Sequence, residues 1–178
     1  EEVMRLKNKV CLITGSSSGI GESIARSFEK EGAKVIITYN SNRKDASKVA
    51  ISLKTDFFQL DVKNKKSVFN VFKKVHKKFK KIDVVINNAG INITNEFDKI
   101  SEKDWDLVLD TNLKGVFFCC QAAIKYMKAK GKIINIGSLS GEYGGPRTPS
   151  YAAAKAGVMS LTHCLARFLG HKGINVNC

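Results

Sequence analysis

The sequence has no C-x-x-C pair, although it contains five cysteines, at positions 11, 119, 120, 164 and 178. Most of them stand inside apolar runs, which predicts buried thiols in a reducing compartment. The pattern indicates neither a disulfide framework nor a zinc site, and we expect no bound metal.

Long apolar runs are missing as well. No run approaches the roughly 20 residues that are needed to span a bilayer. The N-terminal segment EEVMRLKNK is too polar for a signal peptide. We therefore expect a cytoplasmic protein that makes no membrane contact.

Proline and low-complexity sequence are scarce. The 178 residues include only 2 prolines and 14 glycines, and no linker-like stretch marks a domain boundary. A content of 43% hydrophobic and 26% charged residues is ordinary for a globular chain with one sizeable core. The sequence predicts a single domain over residues 1–178.

Acidic residues are few: 16 Asp and Glu face 30 Lys and Arg, which gives a net charge of +14. The excess is mostly lysine on predicted helices, as at Lys73, Lys74, Lys77, Lys78, Lys80 and Lys81. One interpretation is a solvated lysine-rich face; another is a surface that attracts a phosphorylated cofactor or an acidic carrier protein. The basic residues are not interleaved with aromatics or glycines, which disfavours nucleic-acid binding.

Short β-rich runs alternate with longer helical segments along the whole chain. This order is typical of an α/β fold in which helices cover a doubly wound parallel sheet. The predicted strands are residues 10–14, 34–39, 56–60, 83–87, 132–137 and 174–177. The predicted helices are residues 20–31, 43–53, 65–79, 101–130 and 151–169.

The predicted fourth helix, residues 101–130, opens with Ser101 followed by Asp104, a variant of the capping box. It also carries Asn112 in its interior. Asparagine competes there for backbone hydrogen bonds and often bends a helix, so its presence needs a reason.

A glycine-rich turn, T-G-S-S-S-G-I-G at residues 14–21, directly follows the first strand and precedes the first helix. Glycines let the backbone turn sharply and approach a pyrophosphate closely, while a helix N-terminus offers free N–H groups to the anion. The alternative is a turn that merely connects two elements. The context favours a dinucleotide site that includes Gly15, Ser17, Ser18, Gly19, Ile20 and Gly21.

The end of the second strand lacks the carboxylate that usually holds the ribose 2′-hydroxyl of NAD. The segment reads T-Y-N-S-N-R-K at 38–44, and Arg43 would accept a 2′-phosphate. We therefore favour NADP(H) over NAD(H). The alternative is that Arg43 is an ordinary exposed charge in the first turn of a helix.

Tyr151 and Lys155 stand four residues apart at the start of the last helix, so they project from one face. A neighbouring ammonium group favours the phenolate form of a tyrosine, which could exchange a proton with a carbonyl or hydroxyl oxygen. Ser138 ends the fifth strand, at the sheet edge where ligands bind. Taken singly, each residue has an ordinary structural explanation: Ser138 as a turn residue, Tyr151 as an aromatic at a helix start and Lys155 as a solvated charge.

The combination of motifs resembles the short-chain dehydrogenase/reductase family over essentially the whole chain. It comprises T-G-x-x-x-G-x-G at 14–21, N-N-A-G at 87–90, Asn112, Ser138 and Y-x-x-x-K at 151–155. The stretches around residues 87–91 and 151–157 are most similar to 3-oxoacyl-[acyl-carrier-protein] reductases. The resemblance implies a Rossmann fold and an NAD(P)-dependent oxidoreductase.

The resemblance also implies roles for particular residues. Tyr151 would be the general acid/base, Lys155 would bind the nicotinamide ribose, and Ser138 would polarise the substrate oxygen. Asn112 would hold a water in a proton relay, which explains an asparagine inside a helix. On the cofactor side the implied contacts are Asp61, Val62, Asn87, Ala89 and Gly90.

Two departures from the family pattern bear on these expectations. Carrier-protein reductases often have arginine where Ser18 stands, so Arg43 would carry more of the 2′-phosphate binding. The chain stops at Cys178, within the predicted sixth strand, where family members continue through a loop, a substrate-covering segment and a seventh strand. We expect that a C-terminal part of the fold, with half of the substrate wall, is missing.

The expected reaction is reduction of a carbonyl to an alcohol, with a 3-oxoacyl thioester as the favoured substrate and an acidic acyl carrier protein as a possible partner. An alternative within this class is a reductase of a small ketone, sugar or other secondary alcohol. An alternative outside it is an inactive nucleotide-binding or scaffolding protein. The long fourth helix and the small-residue face with Ala152, Ala154, Ala156 and Gly157 could pack against partner helices. The resemblance implies a homotetramer, so we expect a homo-oligomer. The alternative is that these faces pack only on the chain's own sheet.

Overall fold

The computed structural model describes residues 4–178, so the first three residues of the polar N-terminal segment lie outside it. Six strands and seven α-helices follow one another in this part of the chain. The strands are β1 (Val10–Ile13), β2 (Lys34–Tyr39), β3 (Asp56–Gln59), β4 (Val84–Asn87), β5 (Lys132–Asn135) and β6 (Asn175–Asn177). The helices are α1 (Gly19–Lys30), α2 (Arg43–Ser52), α3 (Lys65–Phe79), α4 (Glu102–Leu109), α5 (Gly115–Tyr126), α6 (Ser140–Tyr143) and α7 (Pro149–Leu169).

The strands form one parallel sheet in the order β3-β2-β1-β4-β5-β6. The chain moves outward from β1 to β3 and then returns to β4 on the other side of β1. The strand order therefore reverses between β1 and β4. In such sheets a crevice opens at this point, beyond the carboxyl ends of the strands, and this is where ligands bind. The predicted doubly wound fold is confirmed.

Two hydrophobic layers hold the helices against the sheet. One contains Leu12, Ile36, Val85 and Ile133 from the strands with the apolar faces of α3, α5 and α7. The other contains Cys11, Ile37 and Ile86 with α1 and α2. Because both faces of the central strands are covered, those strands are almost uniformly apolar rather than alternating.

The predicted fourth helix is wrong in two respects. Residues 102–126 are helical, but a π-helical turn at Asp110–Lys114 separates α4 from α5. The helix also ends at Tyr126 rather than at Lys130, because Met127 adopts an extended conformation and Lys130 has a left-handed φ of 64°. The chain has to leave the helix here because only five residues separate Tyr126 from the start of β5. The predicted cap is confirmed, since Ser101 Oγ accepts a hydrogen bond from the amide of Asp104 over 3.0 Å.

By length and composition, residues Glu102–Tyr126 are apolar enough to cross a bilayer. The sequence showed no continuous apolar run here because Asp110 and Lys114 interrupt it. The apolar side chains have a different explanation in the structure. Those of Val116, Cys119 and Ala123 are at most 5% exposed and belong to the core layer that includes α3.

Cys11, Cys119 and Cys120 are buried as predicted, whereas Cys164 and Cys178 are exposed. Burial raises the pKa of the Cys11 and Cys120 thiols to about 12, and that of Cys119 further.

Since the thiolate is the reactive form, an aromatic disulfide reagent at pH 8 should react rapidly with two thiols in the native protein, those of Cys164 and Cys178. The other three should react only in denaturant, and rapid reaction of three or more thiols would contradict this burial.

Candidate active site

A cleft of about 720 Å³ opens at the carboxyl edge of the sheet, where the strand order reverses. Most of the predicted site residues line it, namely Gly15, Ser17, Ser18, Ile20, Asp61, Val62, Ala89, Gly90, Tyr151 and Lys155. The loops after β1, β3 and β4, the start of α1 and the first turns of α7 supply these residues. The fold thus brings together the glycine turn and the Tyr-Lys pair, which are about 130 residues apart in the sequence. Gly19, Gly21, Arg43, Asn87, Asn112 and Ser138 are not among the lining residues.

The glycine turn is attached to the end of β4 by hydrogen bonds. Thr14 Oγ1 accepts hydrogen bonds from the amides of Asn88 and Ala89, each with a donor–acceptor distance of 3.0 Å. The Asn88 side chain returns the contact, since its Nδ2 donates to the carbonyl oxygens of Thr14 and Gly15 over 3.0 and 2.9 Å. The N-N-A-G segment therefore has a definite function in this fold, which is to hold the turn in place.

A second set of hydrogen bonds attaches the turn to β2. Ser16 Oγ accepts from the amide of Thr38 over 2.9 Å and donates to the carbonyl of Ile13 over 2.8 Å. Thr38 Oγ1 accepts from the amide of Gly15 over 3.1 Å. Ser16 and Thr38 are fully buried, so this arrangement is shielded from water and rigid.

Gly15 and Gly21 are required by close packing. Gly15 has a φ of 62°, and a Cβ there would lie 2.9 Å from Ala89 Cα. A Cβ on Gly21 would lie 2.5 Å from the carbonyl oxygen of Gly15 and 2.5 Å from Asn88 Nδ2. Gly21 thus lets α1 pack directly against the turn.

Gly19 is required by its left-handed backbone conformation rather than by close packing. It has a φ of 57°, but a Cβ there would meet no atom within 4 Å, so the space in front of it is open. The N-cap of α1, Ser18, makes no side-chain hydrogen bond to the helix. The first N–H groups of α1 are therefore available to an anion. An open approach to a helix N-terminus at the floor of the cleft fits a dinucleotide pyrophosphate.

The side of the cleft near β2 and β3 is polar and basic. It includes Asn40, Ser41 and Asn42 after β2 and Lys63 after β3. Arg43 is exposed at the first position of α2, next to Asn42, and does not itself line the cleft. Lys63 was not singled out in the sequence because nothing in the local pattern places the β3 loop beside the end of β2.

Tyr151 and Lys155 lie side by side in the cleft. Lys155 Nζ stands 5.5 Å from the centroid of the Tyr151 ring and donates a hydrogen bond to the carbonyl of Ile136. Lys155 is only 4% exposed, and this burial lowers its pKa, partly opposed by Cys178. The predicted juxtaposition is thus present, with a lysine that gives up its proton more readily than an exposed one.

Ser138 lies just beyond β5, at the start of the segment that leads into α6. Its Oγ accepts a hydrogen bond from the amide of Ser140 over 3.2 Å. This contact uses an acceptor position and leaves the hydroxyl proton available for donation to another group.

Asn112 is fully buried in the π-helical turn. Its Oδ1 accepts from the amide of Ile91 over 2.8 Å, and its Nδ2 donates to the carbonyl of Ile91 over 2.6 Å. A Cβ on Gly90 would lie 2.8 Å from Asn112 Oδ1. The side chain therefore fixes the loop after β4 along the cleft. This pairing with Ile91 explains why an asparagine stands inside the helical segment.

Asn87 points away from the cleft into the core, where it is 3% exposed and bonds to Asn135 over 2.8 Å. The prediction that Asn87 lines the cofactor cleft is therefore wrong for its side chain, which lies in the core. In a parallel strand successive side chains alternate between the two faces, so the last residue of β4 faces a helix layer.

Several residues that the sequence did not single out do line the cleft, among them Ile91, Asn92, Leu107, Thr111 and Ile136.

Residues 9–178 match the family model described as short chain dehydrogenase. The chain is a member of the short-chain dehydrogenase family. Over 98% of its length it is 42% identical to a 3-oxoacyl-[acyl-carrier-protein] reductase FabG from Thermotoga maritima, of which it covers 73%. It is 40% identical to the (2S)-[(R)-hydroxy(phenyl)methyl]succinyl-CoA dehydrogenase subunit BbsD of Thauera aromatica, with the same two coverages.

Among solved structures, a short chain dehydrogenase from Burkholderia cenocepacia in complex with NADP is similar, with a TM-score of 0.94 and 34% identity. The match covers 97% of this chain and 73% of that one. The expected membership of the family, the resemblance to 3-oxoacyl-[acyl-carrier-protein] reductases and the class of NAD(P)-dependent oxidoreductase are confirmed.

Proposed function

We propose that this short-chain dehydrogenase reduces the keto group of a 3-oxoacyl thioester with NADPH. The observation that carries the proposal is the Tyr151–Lys155 pair in the same cleft as the open glycine turn. The two relatives support the thioester, since one is named for an acyl-carrier-protein substrate and the other for a CoA substrate. The structural neighbour that holds NADP supports the cofactor.

Within the proposed site the glycine turn and the N-terminus of α1 would hold the pyrophosphate. Asp61 and Val62 would flank the adenine, and Lys155 would contact the nicotinamide ribose. When bound, the reduced nicotinamide supplies a hydride to the carbonyl carbon. The protein's own residues then have to deal with the charge that develops on the carbonyl oxygen.

Tyr151 would donate its phenolic proton to that oxygen as general acid. Ser138 would donate a hydrogen bond to the same oxygen with the proton that its contact to Ser140 leaves free. The buried ammonium of Lys155 would stabilise the phenolate left behind. Asn112 would help to supply a proton through a water, as the family resemblance implies.

The substrate assignment is tested by comparing NADPH oxidation with acetoacetyl thioesters and with simple ketones such as cyclohexanone. We expect kcat/KM to be higher for the thioesters. Absence of thioester turnover alongside ketone reduction would favour the small-ketone alternative. NADPH binding without reduction of any carbonyl would favour the inactive nucleotide-binding alternative.

The preference for NADPH is proposed to depend on Arg43. Arg43→Ala should weaken NADPH binding by about fivefold, because an exposed cation–phosphate contact contributes about 1 kcal/mol. NADH binding should not change, since NADH lacks the 2′-phosphate. Lys44→Ala, which removes the adjacent exposed charge, is the matched control. Equal dissociation constants for NADPH and NADH in the unmodified protein, measured by fluorescence titration, would overturn the assignment.

Assembly into a homotetramer remains a prediction. Of the small residues proposed as an interface, Ala154 is fully buried within the chain, and a Cβ on Gly157 would meet Leu113 at 2.8 Å. These two therefore pack inside their own subunit. Apolar side chains that stay exposed on α4, α5 and α7 include Trp105, Phe117 and Phe168. An acidic acyl carrier protein as partner and a cytoplasmic location likewise remain predictions.

A further inference from the structure

A chain of buried polar side chains crosses the core between the sheet and α7. Asn87 and Asn135 are direct neighbours in the register of β4 and β5, and Asn87 Nδ2 donates to Asn135 Oδ1 over 2.8 Å. Asn135 Nδ2 donates in turn to Thr162 Oγ1 of α7 over 2.9 Å. All three residues are at most 3% exposed. Polar groups buried this deeply are costly unless they are paired, and paired ones fix geometry more strictly than apolar contacts do.

The Thr162 hydroxyl is held from both sides. It accepts from Asn135 and donates to the carbonyl of Val158 over 2.7 Å. With its donor and one acceptor position both used, the hydroxyl cannot rotate without breaking a buried hydrogen bond. The contact between β5 and α7 is therefore directional.

A second polar contact joins α7 to the residue just after β5, nearer to the cleft. Lys155 Nζ donates to the carbonyl of Ile136, the residue that follows Asn135. Lys155 and Thr162 are seven residues apart, which is two helical turns or about 10.5 Å along one face. The helix that carries Tyr151 is thus attached at two points, to the last residue of β5 and to the residue that follows it. Apolar packing by itself would allow α7 to slide slightly along the sheet.

We propose that the Asn135–Thr162 hydrogen bond is a positioning contact for the site. It fixes the position of α7 along its axis and so sets the height of Tyr151 and Lys155 above the sheet edge. Neither Asn135 nor Thr162 lines the cleft, so both act through the helix. The inference rests on the proposed function of the Tyr151–Lys155 pair.

Thr162→Val keeps the shape of the side chain and removes the hydroxyl, and Thr162→Ser keeps the hydroxyl. Small displacements of reacting groups can cost up to about 100-fold in rate, so we expect Thr162→Val to lower kcat by roughly 10-fold or more. KM for the carbonyl substrate should change little. Because Lys155 lines the cofactor cleft, we also expect NADPH affinity to fall by about 5-fold. Thr162→Ser should restore both values to near those of the unmodified protein.

Val75→Ala is the control for general destabilisation. Val75 is fully buried in α3, within the same core layer but away from the cleft. This variant should lose thermal stability and keep kcat and NADPH affinity. If kcat and NADPH affinity of Thr162→Val stay within 2-fold, or if Val75→Ala loses as much activity at an equal drop in Tm, the positioning contact is overturned.

Should Thr162→Val prove insoluble, Thr162→Cys is compared with Thr162→Ser under the same criteria, because a thiol is a weak hydrogen-bond partner. A failure of the proposed function gives a different result. In that case the unmodified protein reduces no carbonyl compound, and the NADPH dissociation constants of the variants alone decide whether the contact positions α7.

Discussion

Replacing Tyr151 with phenylalanine is expected to lower kcat for NADPH-dependent carbonyl reduction by about 10²- to 10⁴-fold, the usual contribution of a general acid. The substitution removes one hydroxyl group and leaves the ring beside Lys155 in place. Since the ring contact is kept, the melting temperature and the NADPH dissociation constant should change little. Stopped-flow or steady-state assays at saturating NADPH measure the effect directly.

Tyr143→Phe is the matched control for this experiment. Tyr143 ends the short helix α6 and is 83% exposed, so removal of its hydroxyl should leave kcat within about twofold. A Tyr151→Phe enzyme that keeps more than a tenth of the original kcat would show that another group delivers the proton. That result would remove Tyr151 from the proposed mechanism without affecting the cofactor assignment.

Replacing Gly21 with alanine is expected to weaken NADPH binding by roughly 30-fold. The added Cβ would come within 2.5 Å of the carbonyl oxygen of Gly15, and a backbone atom cannot move aside without shifting the turn. Overpacking of this kind costs about 2 kcal/mol, which is about 30-fold in a dissociation constant if the distortion falls on the phosphate site. The same strain should lower the melting temperature.

Gly170→Ala tests whether any new methyl group has this effect. Gly170 follows α7 with a φ of −56°, and a Cβ there meets no atom within 4 Å. This variant should be neutral or slightly stabilising, because alanine reduces the freedom of the unfolded chain. If Gly21→Ala binds NADPH as tightly as Gly170→Ala does, the glycine turn does not hold the pyrophosphate in the way proposed.

Strand and helix positions could largely be predicted from the sequence because the hydrophobic pattern is strong in most segments. The bounds of β2 and α3 agree with the prediction at both ends, and the other five strands are one or two residues shorter in the structure than predicted. The π-helical turn within the fourth helical segment could not be predicted. It depends on a contact between Asn112 and Ile91, which are 21 residues apart and meet only in the folded chain.

The direction in which a side chain points also could not be predicted from the sequence. The N-N-A-G segment marks a conspicuous motif, but one-dimensional sequence does not say which of its two asparagines faces the ligand. In the structure Asn87 faces the core while Asn88 holds the glycine turn. Lys63 also lines the cleft, in addition to Lys155. It lies on the loop after β3, which is next to the end of β2 in the folded chain, and the local sequence pattern does not predict that proximity.

The sequence by itself determined the order of elements, the glycine turn after the first strand and the Tyr-Lys spacing, because each depends on residues that are close along the chain. The tertiary structure decided which of these groups share one cleft. It placed the turn and the start of α7 at the same sheet edge, paired Asn135 with Thr162, and buried Lys155 beside Tyr151. Those relations arise from strand order and from the packing of helices on the sheet, which are properties of the whole fold.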